Sequence, residues 1–231
     1  MTTLTREHVL QIIASACVKG EIPKLFGADL TETELRRAQL GGAELSETEL
    51  HRAKLNGAEL IRVDLGGVDF HRAGLVGADL SQADLSQADL SEADLFMANL
   101  SEANLSGANF SGAKLFKANL TQAHLFMTDL SQANLSLANL SLANLGQVNL
   151  GRANLKGANF NHTNLRGADL RGADLSNADL SSADLRQANL KQATLKQANL
   201  NGANLRAARY NQATAWPVNF DPIPMGAICE D

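Results

Sequence analysis

The sequence predicts an all-β solenoid, and three observations carry that reading. An apolar residue recurs at every fifth position without interruption, a small residue recurs two places before it, and aromatics are only 4% of a chain that is 45% hydrophobic. A core without bulk must be assembled from small and medium side chains in a regular array.

The period is strict. Every position divisible by five from Leu30 to Tyr210 is Leu, Phe or Tyr: 37 in a row, 33 of them Leu, the others Phe70, Phe110, Phe160 and Tyr210. Two places earlier, 30 of the 37 residues are Ala, and the rest are Thr33, Thr48, Val63, Val68, Thr128, Val148 and Thr163. Between the two sits mostly Asp or Asn, as in Ala83-Asp84-Leu85 and Ala133-Asn134-Leu135. The unit is therefore A(D/N)LXX.

Neither regular element accommodates this period over a long run. A helix turning about 100° per residue sets successive leucines about 140° apart, so no face collects them. A straight strand alternates faces, so an odd period sends successive leucines to opposite sides. Within one unit, however, Ala and Leu two apart share a side in extended geometry, which predicts a short strand followed by a bend. Repeated bends of one hand generate a coil whose turns stack about 4.8 Å apart through parallel hydrogen bonding.

This repeat, over about four fifths of the chain, resembles that of the pentapeptide-repeat family. The resemblance implies a right-handed quadrilateral β-helix with four units per coil, the Leu/Phe column filling the interior and the Ala column lining it. On that basis residues twenty apart stack, and 26–210 form about nine coils. Phe70 and Phe110 then share one face, and Phe160 lies on the opposite one.

Both ends change composition, as an open solenoid requires if its unpaired edges are to be covered. Residues 1–25 are expected to form an N-terminal α-helical cap, with Thr5 as N-cap, apolar Val9, Leu10, Ile12, Ile13, Ala16 and Cys17, and Gly20 as the stop. Residues 211–231 are expected to form a closing segment, in which Ala215 breaks the Leu column and Trp216, Pro217, Phe220, Pro222 and Pro224 supply bulk and remove donors. Tyr210, Thr214, Trp216-Pro217 and Phe220-Asp221-Pro222 resemble the closing segment of many cyanobacterial members of the family.

Composition narrows the function classes. Net charge is −5, which provides no global attraction to nucleic acid or an acidic membrane. No apolar run reaches the roughly 18 residues of a membrane span. Glu7 and His8 precede the apolar stretch after residue 9 and Gln11 interrupts it, which argues against a secretory segment. Cys17 and Cys229 have no metal-ligand or redox spacing and read as free thiols in a reducing, cytoplasmic setting. There is no phosphate loop, HExxH, EF-hand loop or nucleophile elbow, and a filled coil offers no pocket, so neither an enzyme nor a cofactor is expected. His51 and His71 would stack on one outer column, but two ligands fall short of a structural zinc site.

What remains is surface. Val76, Phe96 and Phe116 fall in one outer column, with Met97 and Leu137 in the column beside it, and all are expected to face solvent. Such a strip reads either as a contact for a protein partner or a second copy of the chain, or as a ladder of rings that stiffens the rod. Phe126 and Met127 fall on the opposite corner.

Charge is uneven too. Residues 76–150 carry seven acids and two bases, net −5, whereas 151–210 carry four acids and nine bases, net +5. Arg166, Arg186 and Arg206 share one column, with Arg171 and Lys191 one face away, forming either a solvated face or a basic docking patch for an acidic protein surface or a nucleic-acid backbone. One inter-corner column offers Asp29, Glu49, Asp69, Asp89, Asp129 and Asp169, broken by Asn109 and Asn149. The sequence thus favours a non-enzymatic interaction or scaffold rod. The alternative, suggested by the family, is mimicry of duplex DNA to occupy gyrase or another DNA-binding enzyme. The positive last third argues against it, and gyrase supercoiling is expected to be unaffected.

Overall fold

A computed structural model describes residues 4–46 and 48–230; the side chain of Cys17 lies outside the described ones. Parallel bridges join residues twenty apart, from Lys24 with Glu44 through to Asn189 with Arg209. Four five-residue sides therefore make one coil. The leucine column is buried almost completely along its length, with Phe70, Phe110 and Phe160 at 0% exposure within it.

Each side is shorter than the sequence suggested. Instead of a short strand there is a single bridging residue per unit, because the turn consumes the other four. The unit at Leu80 shows how five backbone donors are nevertheless all satisfied. Leu80 N–H donates to Asn99 O (2.7 Å) and Gln82 N–H to Ser101 O (2.9 Å), both in the next coil. Asp84 N–H donates back to Val63 O (3.0 Å), and Ala83 N–H closes the turn on Leu80 O (3.2 Å). The fifth, Ser81 N–H, has no backbone partner and is taken by Asp79 Oδ1 (3.0 Å). This is the physical reason for Asp or Asn in the motif: a short side chain whose oxygen reaches the N–H two residues on.

The turn closes from Leu to Ala with positive φ at its third residue, as a type II turn requires. Most of those residues are not glycine; Gln82 lies at φ 59° and Met97 at 57°. Each such residue costs roughly 1–2 kcal/mol, which the hydrogen-bonded coils on either side offset. At two of the places where Thr replaces the inward Ala it adds a tie between coils, Thr128 Oγ1 donating to Leu105 O (2.7 Å) and Thr163 Oγ1 to Leu140 O (2.8 Å), whereas Thr48 Oγ1 donates within its own turn to Leu45 O (2.7 Å).

Helix α1 (Arg6–Lys19) precedes the coils. Thr5 Oγ1 accepts from His8 N–H at 3.3 Å, and Gly20 ends the helix at φ 67°. Val9 is fully buried, Leu4, Ile12 and Ile13 pack on the apolar core, and Leu4 N–H donates to Asp29 O (3.0 Å). Among the described residues no helix is long and apolar enough to cross a membrane.

The C-terminal end corrects one reading. Ala215 does not interrupt the leucine column, because the turn at Asn211 contains one extra residue. Thr194 bridges Ala215 rather than residue 214, so Ala215 takes the Asp/Asn place and Trp216 follows it into the leucine register. Thr214 takes the inward place, donating to Leu190 O at 2.9 Å. Trp216 then packs edge-on to Tyr210 (5.5 Å) and parallel to Phe220 (5.3 Å). Two short parallel strands, β1 (Arg209–Tyr210) and β2 (Ile228–Cys229), bring the chain back against the last coil.

Candidate functional site

The turns form four outer edges, and because the core is filled, any chemistry must lie on these edges or at the ends. The edge carrying Phe96 is the most apolar in the middle of the rod. Phe96 and Phe116 stack with centroids 5.6 Å apart and planes 11° from parallel. The Lys117 ammonium lies 5.5 Å from the Phe116 centroid. Phe96 is 39% exposed, Met97 56% and Leu137 51%, while Val76 and Phe116 are half-buried rather than open to solvent, since each is covered in part by its neighbours on the column. Leu137 lies over Gly157: a Cβ built there would come within 2.8 Å of Leu137 Cδ2.

Sequence reasoning missed two features, one on the same edge and one on the edge beside it. Toward the C-terminus a surface pocket of about 460 Å3 opens among Ser176, Lys196, Gln197, Trp216 and Val218. It was hidden because the register slip before Ala215 sets Trp216 and Val218 beside residues twenty-one, not twenty, before them. Leu142, 56% exposed, sits one edge away from Leu137. Phe126 and Met127 are exposed on the opposite edge, where Phe126 covers Gly146.

The basic columns are partly neutralised by their own units. Arg171 forms a bidentate pair with Asp169, and Arg186 one with Asp184, the closest contact in each being 2.6 Å. Lys191 reaches Glu230 at 3.2 Å, and Arg166 Nε donates to Gln187 Oε1 at 3.2 Å. Arg206 contributes its backbone N–H to Asn204 Oδ1 (3.1 Å) and lines a shallow groove with Arg166 and Arg186. The Arg186 hydrogen bond holds the Asp184 carboxyl below its ordinary pKa despite partial burial. At Asp169 burial raises the value, but bonds from Arg171 outweigh it.

The acidic column is likewise committed to structure. Asp69, Asp89 and Asp129 accept the N–H of His71 (2.8 Å), Ser91 (2.9 Å) and Ser131 (2.8 Å). Asn109 and Asn149 donate across coils to Asp89 (3.1 Å) and Asp129 (3.0 Å). His51 and His71 stack at 5.2 Å, and among the described residues no three His, Cys, Asp or Glu side chains are grouped to hold a metal. A groove of about 600 Å3 between α1 and the first coil is mainly apolar, with His8 engaged by Thr5 Oγ1 at 3.1 Å.

Comparison with known proteins agrees with this geometry. A family model described as pentapeptide repeats matches in eight copies between residues 24 and 209. Among solved structures, the chain is similar to HetL of the cyanobacterium Nostoc, a pentapeptide repeat protein involved in heterocyst differentiation regulation. The two are 41% identical with a TM-score of 0.62 over 80% of this chain and 84% of that one. It also shares its fold with QnrB1, a plasmid-mediated fluoroquinolone resistance protein, at 22% identity and a TM-score of 0.65 over 74% of this chain and 88% of that one. No curated protein matches.

Proposed function

This chain belongs to the pentapeptide-repeat family, and on that premise we propose that it is a non-enzymatic protein-interaction rod of the cyanobacterial type, acting in the cytoplasm. One observation carries the reading: the stacked Phe96–Phe116 pair, continued by Met97 and Leu137, leaves an apolar strip on an otherwise polar edge. Contiguous exposed apolar surface costs solubility and is a mark of contact sites. Along a β-solenoid the inward columns fix the fold, so the turn residues can vary to suit a partner. About nine coils over 26–210 form the rod, with 1–25 and 211–231 as its closures.

The involvement of HetL in heterocyst differentiation regulation supports a binding rather than a catalytic task. DNA mimicry is less well supported. The carboxylates on the acidic column cap backbone N–H groups, and the rod reverses sign after residue 150.

The test is capture. Immobilised protein and its Phe96→Asp/Phe116→Asp variant are exposed to extract from a cyanobacterium carrying the gene. Proteins held by the parent and lost by the variant support the reading. Equal capture by both would reduce the strip to a stiffening ladder.

A further inference from the structure

Positive charge that its own coils leave unbalanced collects on one edge, opposite the Phe96 strip. That edge is formed by the turn residues 146–147, 166–167, 186–187 and 206–207. With the outward residues of its two flanking faces included, it carries four arginines, Arg166, Arg186, Arg206 and Arg209, and two aspartates, Asp169 and Asp184. Asp184 takes Arg186, and Asp169 is drawn to Arg171 on the next edge. The closing segment sets Gly226 against the Arg206 stem, and residues 223–228 bring no charge. Among the described residues neither Arg166 nor Arg206 pairs with a carboxylate.

The same side chains form a groove. Arg166, Arg186, Gln187, Arg206 and Ala207 line about 310 Å3, and the small Ala207 leaves it open. Arg166 spends only its Nε, on Gln187 Oε1 at 3.2 Å, so both its Nη groups and the Gln187 amide remain as donors. Arg186 commits Nε and Nη2 to Asp184 and retains Nη1. Successive arginines are one coil apart, so Arg166 and Arg206 stand on either side of Arg186 at roughly 10 Å, a span that two arginine side chains close over one small anion.

We propose that this groove is a phosphoryl site, which holds one phosphate monoester between Arg166 and Arg206 with Arg186 behind it. A monoester carries about −1.5 to −2 near neutral pH and three acceptor oxygens, which matches the two uncompensated guanidiniums; a carboxylate would balance only one. Guanidinium forks meet such oxygens in bidentate pairs. Beyond Arg166 the edge continues as Gly146 and Gln147 and then as the exposed Phe126 and Met127, so the row ends after three arginines. A nucleic-acid backbone gains affinity by neutralising many phosphates and finds too short a rail here. A phosphorylated side chain of a protein segment fits, because the chain beside it continues over uncharged surface.

The site is read directly in the full chain by following arginine Nε–H resonances as inorganic phosphate is added. Those of Arg166 and Arg206 should shift and saturate. Arg166→Gln/Arg206→Gln should abolish the saturation with circular dichroism unchanged, and Arg166→Lys/Arg206→Lys, which keeps charge but not the fork, should weaken it if the first variant does not fold. Asp184→Asn retains an acceptor for the Arg186 N–H and releases the guanidinium, so binding should tighten by up to about fivefold, the worth of an exposed pair.

A peptide of alanine and leucine with one phosphoserine adds a pH signature. Its dianion is about tenfold more abundant at pH 7 than at pH 5, and its affinity should rise by about that factor, with sulfate unchanged. Asp169 and Asp184 are held below their ordinary range and stay ionised throughout, and the nearest histidine in these columns, His124, lies two coils from Asn164. Tighter binding of the phosphopeptide than of inorganic phosphate assigns the group to a protein segment, and equal affinity assigns it to a free phosphate compound. Shifts spread evenly over all arginines, indifference to the glutamine variant, pH-independent affinity, or tighter binding of oligothymidylate than of the phosphopeptide would each overturn the site. Phe96→Asp/Phe116→Asp should leave every one of these readings unchanged, so the site stands or falls apart from the apolar strip.

Discussion

Replacing Asn119 separates the two tasks of the motif's Asp/Asn position. Its Oδ1 accepts the Thr121 N–H at 3.2 Å and the Thr121 hydroxyl at 2.6 Å, while its Nδ2 donates to Asn99 Oδ1 in the preceding coil at 3.0 Å. Asn119→Ala removes all three bonds and leaves a half-buried N–H without its acceptor. An unsatisfied donor costs about 1–3 kcal/mol and each of the two lost side-chain bonds about 0.5–1.5, so the variant should lose roughly 2–6 kcal/mol. Asn119→Asp keeps the acceptor but loses the donor, and should lose about 1 kcal/mol. Urea unfolding at constant m value measures both, and amide exchange locates the loss, since Thr121 N–H should exchange faster in the alanine variant and little changed in the aspartate. If aspartate costs as much as alanine, the cap is not what this position supplies. If alanine costs nothing, the side-chain ladder contributes nothing net.

Two further perturbations test the turn and the charge distribution. Gly77 lies at φ 64°, and a Cβ there would meet nothing within 4 Å, so Gly77→Ala isolates backbone strain from packing. It should lower stability by about 1–2 kcal/mol, and an unchanged urea midpoint would show that these turns tolerate side chains without cost. Asp169, Asp174, Asp179 and Asp184 all have pKa values below the ordinary range, and all lie in the C-terminal half. A depressed folded-state pKa stabilises above the unfolded value of about 3.9 and ceases to do so as pH falls through the folded value. Exchange protection should therefore fall first in coils 169–184 as the protein is acidified below about pH 4, and uniform loss along the rod would contradict this.

How much of this was legible in the sequence follows from what each residue type is for. The Leu and Ala columns announce the coil because burial admits few alternatives at those places, and twenty-residue bridging agrees with the implied four-sided closure. The role of Asp and Asn was not read, although the pattern was in view, because the orphaned Ser81 N–H exists only once neighbouring coils have claimed three of the other donors and the turn itself the fourth. That omission had a consequence. An acidic column that looked available to a partner holds its own backbone instead. The register slip at Asn211 was equally hidden, since a period read from sequence assumes that every residue advances the coil, and one does not.

The surface was legible by column but not by pairing. Residue number modulo twenty placed Phe96 on Phe116 and His51 on His71, and the rings stack as that arithmetic requires. It also placed Arg166, Arg186 and Arg206 in a row, which as a sequence pattern is a cationic rail. The side chains alter that picture: Arg186 folds back onto Asp184 and Arg171 onto Asp169, each pairing with a carboxylate two residues earlier rather than pointing outward. Exposed pairs of this kind contribute about 0–1 kcal/mol to stability, yet they reduce what the rail can offer a polyanion. Much of the basic half thus reads as charge balanced within its own coils, with a residual positive field that favours an acidic surface without demanding one. An apolar strip has no such internal partner to return to, and for that reason the Phe edge, rather than the more conspicuous arginines, carries the functional reading.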